Sequence, residues 1–351
     1  MNKEKAKAVC IPKQDGERIR RLLLEEHLLR TDLKIKKTKT HLLLPVISES
    51  PLITHLPITL ETFEVTEKPV PSYKMLLDLP EEQHLLLPSS FDIIGDIILI
   101  KIPKELEKEK RTIGEALLQA HKQVRTICAV DPVSGEFRTH ETEIIAGINR
   151  TQTIHTEYGI QLAVDVKETY FSPRLASERY RIASLVQDHE HIVDLFTGVA
   201  PFPIMIACYA HPQTIIAFDK NPTAVQLART NIKKNKVEDI IEIYEHDSIN
   251  AKEILDDLQI KADRILMNLP MDSFRFLPLS FSIMNTQAII HLYEIIKEED
   301  IPNRLHAIEI SAEKNGVCIK NMEVHRIKTY APHEFYIGID ITAQKNDADV
   351  A

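Results

Sequence analysis

The chain has 351 residues, of which 44% are hydrophobic and 27% charged, so we expect a globular protein with two or three domains. Its apolar stretches are interrupted by charge well before the roughly 20 residues that a membrane helix needs, and the N-terminus lacks the apolar core of a secretory signal. The cysteines are scattered without a C-x-x-C pair, which argues against disulfides or a zinc site. A cytoplasmic protein is expected.

Charge is distributed unevenly along the chain. The net charge is -9, but residues 1–40 contain 12 Lys and Arg against 6 Asp and Glu, which gives +6 and leaves -15 for the rest. A local basic surface on an acidic protein is typical of a protein that binds nucleic acid through one region. A solvated surface explains any single run of charges equally well.

The first 75 residues predict a small α/β domain. The stretch "KQDGERIRRLLLEEHLL" has a helical pattern of apolar and charged residues, and "HLLLPVI" predicts a strand. Residues 48–90 are rich in Pro, Thr and Ser, which predicts an exposed connection with little helix.

Residues 76–165 predict a second α/β unit. The stretch "FDIIGDIILIKIP" has the alternation of a strand, and "TIGEALLQAHKQVRTICAV" spaces apolar residues from Ile113 to Ile127 as one helical face. The stretches "HETEIIAGIN" and "TIHTEYGIQLAVDV" predict further strands.

Residues 166–351 alternate strands with helices. The predicted strands are "HIVDLF", "TIIAFD", "IIEIYEHD", "ADRILMNLP" and "QAIIHLYE", and the closing stretch predicts two antiparallel strands. This order predicts a doubly wound, Rossmann-like, mostly parallel sheet with an antiparallel last strand, preceded by two smaller α/β domains.

The stretch "IVDLFTGVAPFPI" predicts a ligand-binding turn between a strand and a helix. Gly198 allows close approach of the backbone, but Ala200 stands where a second glycine would complete a dinucleotide motif, so a dinucleotide fits poorly. Asp219 ends the next strand, 25 positions after Asp194, which suits ribose hydroxyls. Asp247 ends the third strand and could accept from an adenine amino group. An adenosine moiety is therefore expected.

Three acids at three successive strand ends resemble the class I S-adenosylmethionine-dependent methyltransferases, although each acid alone is more often a cap or surface residue. The resemblance implies S-adenosyl-L-methionine as cofactor. It implies that the residues that bind this cofactor are Asp194, Phe196, Thr197, Gly198, Ala200, Pro201, Phe202, Asp219, Lys220, Asn221, Asp247 and Asn268. Relatives usually have glycine at the position of Ala200, whose methyl could crowd the cofactor or be absorbed by a small backbone shift.

Two further stretches concern the methyl acceptor. In "ADRILMNLPMDSFRFL", Leu269 and Met271 replace a proline and an aromatic residue of amino-methyltransferases, which argues against a plain exocyclic amine. In "YFSPRLASERYR", a helix is predicted to begin at Ser172 and Pro173. Arg174, Glu178 and Arg181 then share one helical face, where a surface ion pair between Arg174 and Glu178 is an equally simple explanation.

These stretches, with "SGEFRTHETEIIAG", the basic N-terminal segment and "RIKTYAPHEF", resemble the archaeal and eukaryotic tRNA (guanine-37, N1)-methyltransferases over nearly the whole chain. The resemblance implies that Glu178 is the general base and that Arg138 lies near guanine O6. It implies that Tyr170, Arg179, Asn268 and Pro270 line the target pocket.

The same resemblance implies tRNA as the partner, bound at the anticodon stem-loop and the outer corner, by a monomer that does not bind membranes. The N-terminal domain would contact tRNA away from the anticodon, with Lys34, Lys36, Lys37 and Lys39 as candidates. No cluster of His, Cys and Asp has metal-ligand spacing, so no metal site is predicted.

The proposed chemistry is reasonable on its own terms. Guanine N1 carries a proton at neutral pH, so a carboxylate must remove it before methylation, and an arginine can stabilise the charge that develops on O6. Two alternatives stay open: a wyosine-pathway transferase that moves the aminocarboxypropyl group or methylates wyosine intermediates, and a catalytically silent tRNA-binding relative. The silent relative predicts no binding of the cofactor.

Overall fold

The computed structural model describes residues 3–26, 28–38, 40–47, 56–65, 72–131 and 141–346. The chain divides into two compact units, Met1–Leu76 and Leu77–Ala351. Each unit has its own buried apolar residues.

The first unit is one antiparallel sheet covered by a helix. Its elements are β1 (Lys3–Pro12), α1 (Gly16–Glu25), β2 (Lys36–Lys37), β3 (His41–Pro45) and β4 (Ile58–Glu64), with strand order β2-β3-β1-β4. Ile19 and Leu23 of α1 pack on Val9 and Leu44 of the sheet. The predicted helix and β3 are confirmed. The prediction of an irregular connection over residues 48–90 missed β4, which pairs with β1 over seven positions from Lys3↔Glu64 to Val9↔Ile58.

The first part of the second unit contains α2 (Glu81–Leu86), β5 (Asp92–Ile94), β6 (Ile97–Ile100), α3 (Lys110–Ala120), β7 (Thr126–Val130) and β8 (Thr142–Gly147). The four strands form a sheet in the order β5-β6-β7-β8. The stretch predicted as one strand is a hairpin, because Gly95 adopts φ 55° and turns the chain between β5 and β6. The predicted helical face ends at Ala120, and Ile127 lies in β7 instead.

A hairpin of β9 (Gln152–Glu157) and β10 (Ile160–Asp165) connects this sheet to the rest of the unit. The following elements are α4 (Ala176–Leu185), β11 (His191–Asp194), α5 (Pro201–Tyr209), β12 (Thr214–Asp219), α6 (Pro222–Asn235), β13 (Ile241–Glu245) and α7 (Ala251–Asp257). The last are β14 (Ala262–Met267), α8 (Leu277–Ile283), β15 (Met284–Lys297), α9 (Ile301–Lys314), β16 (Val317–Ala331) and β17 (Glu334–Lys345).

The strands from β11 onward form one seven-stranded sheet in the order β13-β12-β11-β14-β15-β17-β16. All neighbours up to β15 are parallel, and β17 runs antiparallel to both β15 and β16. The predicted doubly wound sheet with an antiparallel last strand is confirmed. Ile192 and Val193, successive residues of β11, belong to apolar cores on opposite sides, so both faces of the sheet are covered.

The strand order reverses beside β11, because β12 and β13 lie on one side of it and β14 on the other. Helices that follow strands on the two sides diverge at this point. A crevice therefore opens at the carboxyl ends of β11 and β14, where doubly wound sheets bind their ligands.

Candidate active site

A cavity of about 300 Å³ lies at this edge of the sheet, within the usual range for small-molecule sites. Its walls come from the loops after β11, β12, β13 and β14 and from the segment before α4. The lining residues are Tyr170, Leu195, Phe196, Gly198, Asp219, Lys220, Asn221, Ala224, Asp247, Ser248, Asn268, Leu269, Pro270, Met271, Asp272, Arg275 and Phe276.

The turn after β11 is held in place by the neighbouring strand. The Thr197 amide donates to the Phe218 carbonyl at 2.9 Å, and the Gly198 amide donates to Asp219 Oδ2 at 2.7 Å. Gly198 adopts φ 55°, and a Cβ there would meet only the Tyr170 carbonyl at 3.7 Å. Glycine is therefore required by the left-handed backbone and not by lack of space.

Asp219 organises the end of β12. Its Oδ1 accepts from the Asn221 amide at 2.9 Å, and burial raises the pKa of this carboxyl. Asn221 caps α6 by accepting from the amides of Thr223 and Ala224 at 3.0 and 3.3 Å, which confirms the predicted start of that helix at Asn221 and Pro222.

The cavity wall also contains the acid that follows β13 and two aromatic rings. Asp247 accepts from the Ile249 amide at 3.0 Å and caps a short helical turn after β13. Phe196 and Phe276 meet edge to face with centroids 4.9 Å apart. Carboxylates at two adjacent strand ends beside apolar ring faces suit a nucleoside, which needs acceptors for hydroxyl and amino groups and apolar walls for its base.

Asp194 is buried beneath this turn and does not line the cavity. Its Oδ1 accepts from the Phe196 amide at 3.2 Å, and this bond and the Thr197 side chain partly offset the effect of burial on the pKa of the carboxyl. Burial raises the pKa of Asp194 to about 7. A cationic ligand nearby would favour the ionised form of this carboxyl.

Ala200, Pro201 and Phe202 form the start of α5, and none of them lines the cavity. Ala200 is fully buried and adopts φ 64° and ψ 39°, the left-handed conformation. Phe202 packs against Tyr293 at a centroid distance of 5.7 Å. The missing glycine therefore strains the backbone at Ala200, and Ala200 belongs to an apolar core instead of the cavity wall.

The loop after β14 is rigidly held. The Ser273 hydroxyl is 2.8 Å from the Met267 and Leu269 carbonyls and accepts from the Leu269 amide at 3.1 Å, and the Pro270 carbonyl accepts from the Ile295 amide at 2.9 Å. The Tyr336 hydroxyl donates to Asn268 Oδ1. Because Oδ1 faces Tyr336, the amide nitrogen of Asn268 points elsewhere and can donate to another group.

Glu178 lies on α4, is 6% exposed and does not line the cavity. Its carboxylate accepts from Arg181 Nε and Nη2 at 2.8 and 2.7 Å and from the Tyr293 hydroxyl at 2.9 Å. Arg174 pairs with Asp92 at 2.5 Å, so the alternative of an Arg174–Glu178 pair is wrong. Two tyrosines in contact, Tyr293 and Tyr336, lie between Glu178 and Asn268.

Arg179 is 1% exposed and lies in a buried ion pair instead of the cavity wall. Its guanidinium donates to both Glu157 oxygens at 2.6 Å and to the Ser172 carbonyl at 3.2 Å. It also lies 5.2 Å from the centroid of the Phe171 ring. This arrangement ties α4 to the β9–β10 hairpin.

Two predicted residues, Arg138 and Lys39, lie outside the described residues. In the first unit, Lys34 pairs with Glu64 at 3.1 Å and Lys36 with Glu61 at 2.7 Å, so β4 carboxylates neutralise two of the lysines predicted to contact tRNA.

Several lining residues were missed in the sequence. They are Leu195, Ala224, Ser248, Leu269, Met271, Asp272, Arg275 and Phe276. Leu195 directly follows β11 and Leu269 lies just after β14, and this position is the signal that could have identified them. Met271 is 66% exposed at the rim.

Among the residues that the structure describes, no group of three His, Cys, Asp or Glu side chains could hold a metal ion. In the same part of the chain, no helix has the length and apolar character needed to cross a membrane.

Comparison with known proteins gives matches along most of the chain. A family model described as the TRM5/TYW2 methyltransferase domain matches residues 153–320, the TYW2 N-terminal domain matches residues 73–151, and the tRNA methyltransferase 5 N-terminal domain matches residues 8–52.

Individual relatives agree with these models. The tRNA (guanine(37)-N(1))-methyltransferase Trm5b of Pyrococcus abyssi is 39% identical over 335 residues, 95% of this chain and 98% of the relative. A tRNA(Phe) (4-demethylwyosine(37)-C(7)) aminocarboxypropyltransferase of Methanocaldococcus jannaschii is 32% identical over 255 residues, 70% of this chain and 95% of the relative.

Solved structures give the same result. Trm5b from Pyrococcus abyssi superposes with a TM-score of 0.73 at 37% identity, covering 97% of this chain and 99% of that one. A complex of aTrm5 with tRNALeu gives 0.66 at 32% identity, covering 95% and 99%. TYW2 of Methanocaldococcus jannaschii with AdoMet gives 0.56 at 26% identity, covering 73% and 100%. The chain belongs to the TRM5/TYW2 methyltransferase family.

Proposed function

We propose that this protein is a tRNA (guanine(37)-N1)-methyltransferase that uses S-adenosylmethionine. The observation that carries the proposal is the cavity in which the acids of two strand ends, Asp219 and Asp247, face the Asn268 to Pro270 loop. Similarity to Trm5b over 95% of this chain and 98% of that relative supports the same activity.

The cofactor fits the residues at this site. Asp219 suits the ribose hydroxyls, Asp247 suits the adenine amino group, and Phe196 and Phe276 supply apolar surface for the base. When bound, S-adenosylmethionine supplies an electrophilic methyl group on its sulfonium. The turn at Gly198 presents its backbone to the ligand, and the Asp219 carboxylate keeps that turn in place.

Glu178 is the general base of the proposed reaction. The guanine must leave its stack and bring its N1 to Glu178, which is buried outside the cavity wall, so binding of the base has to open a path to that carboxylate. The N1 proton then moves to Glu178, and the electron pair of the N–H bond becomes available for the methyl group. Negative charge develops on O6, and Arg138 stabilises it. Arg181 and Tyr293 donate to the Glu178 carboxylate and fix its orientation.

Asn268, Pro270 and Tyr170 line the acceptor side. Tyr336 occupies Asn268 Oδ1, so the Asn268 amide nitrogen is the group that donates to the acceptor base or the cofactor. Arg179 supports the site indirectly, because its bonds to Glu157 hold the start of α4, which carries Glu178.

We also propose a division of the chain into three domains that share the binding of tRNA. Residues 1–75 form a domain that contacts the outer corner of tRNA, residues 76–165 a middle domain, and residues 166–351 the catalytic domain that receives the anticodon stem-loop. The protein acts as a monomer in the cytoplasm. The tRNA complex of aTrm5, similar over 95% of this chain, supports the choice of partner.

The main rival is transfer of the aminocarboxypropyl group, since the aminocarboxypropyltransferase matches 70% of this chain. The deciding experiment incubates the protein with an unmodified tRNA transcript and S-adenosylmethionine labelled either in the methyl or in the carboxyl group. Nucleoside mass spectrometry then identifies the product. We expect 1-methylguanosine carrying only the methyl label, and none from a transcript with adenine at position 37. Transfer of the carboxyl label to a tRNA that carries 4-demethylwyosine at position 37, with no methyl transfer to the unmodified transcript, would refute the proposal in favour of the rival.

A further inference from the structure

Glu178 is the first member of a buried chain of polar side chains that leads into the central sheet. Arg181 donates to both Glu178 oxygens at 2.8 and 2.7 Å and to both Asp340 oxygens at 2.7 and 3.2 Å. A guanidinium presents its donors in one plane, so Arg181 is clamped between two carboxylates and sets their relative orientation.

His291 on β15 fixes the other side of Asp340. Arg264 Nη1 lies 2.7 Å from His291 Nε2, and an arginine can only donate, so Nε2 accepts and the ring proton lies on Nδ1. That proton is donated to Asp340 Oδ1 at 2.6 Å. Burial lowers the pKa of His291, in agreement with a neutral ring. Glu190 holds Arg264 at 2.7 and 2.9 Å.

Burial alone would raise the pKa of Asp340, but the hydrogen bonds from His291 and Arg181 outweigh it and lower that pKa. Asp340 is therefore a permanent anion. His325 on the edge strand β16 also approaches it, with Nε2 3.1 Å from Oδ2. The charged and titratable groups around the Glu178 carboxylate are thus Arg181 on its own helix, Tyr293 on β15 and, beyond Arg181, Asp340 on β17.

The register of β15 and β17 explains why these side chains meet. His291 pairs with Asp340, Tyr293 with Gly338 and Ile295 with Tyr336, and alternate residues of a strand point to the same face. A Cβ at Gly338 would lie 3.2 Å from Tyr293 Cε1. The missing side chain leaves room for the Tyr293 ring, whose hydroxyl donates to Glu178 Oε1.

We propose that Arg181, Asp340 and Tyr293 are positioning residues for Glu178. Arg181 orients the Glu178 carboxylate, Asp340 anchors Arg181 to the sheet, and Tyr293 supplies the third donor. Arg181 and Tyr293 bind the Glu178 carboxylate and Asp340 binds Arg181, so the three residues act through Glu178 and not on the substrate. The inference rests on the proposed function, because it assigns a task to the neighbours of the proposed base.

The test measures the single-turnover rate of methyl transfer to tRNA against pH. In Arg181→Gln the carboxylates of Glu178 and Asp340 lose the cation between them, which disfavours their charged forms. The acidic limb of the pH–rate profile, where the rate falls as the pH decreases, should therefore move up by about one pH unit or more. Arg181→Lys keeps the charge but not the planar donors, so the limb should stay while the plateau falls about 10-fold. Asp340→Asn should lower the plateau by about 10-fold, with unchanged affinity for S-adenosylmethionine.

Glu294→Gln is the matched control. Glu294 on β15 forms an ion pair with Arg304 at 2.7 Å, with side chains 8% and 30% exposed, close to the 14% and 27% of Asp340 and Arg181. This variant also neutralises a buried β15 carboxylate that pairs with an arginine, and it should keep both the limb and the plateau of the wild type.

Two results would overturn the inference: an acidic limb of Arg181→Gln that coincides with that of the wild type, or equal slowing by Glu294→Gln and Asp340→Asn. If Arg181→Gln does not fold, Asp340→Asn and Tyr293→Phe decide, and wild-type plateau rates in both would refute the inference. A wild-type protein that transfers no methyl group to tRNA would refute the proposed function itself.

Discussion

The Gly198 amide donates to the Asp219 carboxylate at 2.7 Å, and this bond joins the turn after β11 to the end of β12. The same carboxylate accepts from the Asn221 amide at 2.9 Å. One side chain thus sets the backbone of two adjacent strand ends at the cavity.

Asp219→Ala should therefore weaken the binding of S-adenosylmethionine. It leaves two buried amides without an acceptor, at a cost of about 1–3 kcal/mol each, and removes the group proposed for the ribose. We expect the dissociation constant measured by isothermal titration calorimetry to rise at least about 10-fold. Asp239→Ala makes the same change at an exposed position before β13 and should leave the affinity unchanged. Equal affinities of the two variants would contradict the assignment.

Ala200→Gly should stabilise the protein. The left-handed backbone at Ala200 costs a residue with a Cβ about 1–2 kcal/mol, which exceeds the roughly 0.5–1 kcal/mol entropic cost of a glycine. A gain of about 0.5–1 kcal/mol is expected from urea unfolding. Ala207→Gly, within the regular part of the same helix α5, should instead lose about 1 kcal/mol. A loss at both positions would show that the strain at Ala200 is absent.

Asp194 should make stability depend on pH. Burial raises its pKa from 3.8 to about 7, so between these values the folded state keeps a proton that the unfolded state has lost. Its contribution is therefore complete below pH 3.8 and declines as the pH rises to about 7, by roughly 2–4 kcal/mol. Asp194→Asn retains an acceptor for the Phe196 amide but cannot ionise. Its unfolding free energy should stay flatter than that of the wild type from pH 4 to 7, and parallel curves would refute this explanation.

Arg179→Leu should act on stability more than on chemistry. It leaves Glu157 buried without its guanidinium partner, which costs about 3–5 kcal/mol. Burial alone would raise the pKa of Glu157, but hydrogen bonds from His155 and Arg179 outweigh it and lower that pKa, so the pair stabilises above pH 4.5 and this contribution is lost as the pH falls. Arg174→Leu breaks a more exposed pair and should cost less than about 1 kcal/mol. Comparable melting temperatures for the two variants would contradict the role of Arg179.

Glu178→Gln should slow methyl transfer about 10²–10⁴-fold, because the amide cannot take the N1 proton. Affinity for S-adenosylmethionine should be nearly unchanged, since Glu178 does not line the cavity. Single-turnover rates and calorimetric affinities measured on the same preparations check both statements. Unchanged turnover would remove the catalytic assignment.

Local sequence determined the architecture of the catalytic part and half of its site. The alternation of apolar strands and helices specified the doubly wound sheet, and strand ends with Asp219 and Asp247 identified the cavity because carboxyl ends of parallel strands meet at one edge. Short-range patterns predicted the secondary structure wrongly in two places. Gly95 converts one apparent strand into a hairpin, and β4 is a strand because it pairs with the distant β1.

Only the tertiary structure decided what the charged side chains do. Spacing put Arg174, Glu178 and Arg181 on one helical face, and the family resemblance implied that Arg179 lines the pocket. Neither could show which partners lie opposite these side chains. Arg174 pairs with Asp92, and Arg179 pairs with Glu157. Arg181, which binds Glu178, also pairs with Asp340, 159 positions away. A buried charge is satisfied by whichever opposite group the fold brings within hydrogen-bonding distance, and that group is set by sheet register rather than by sequence neighbours.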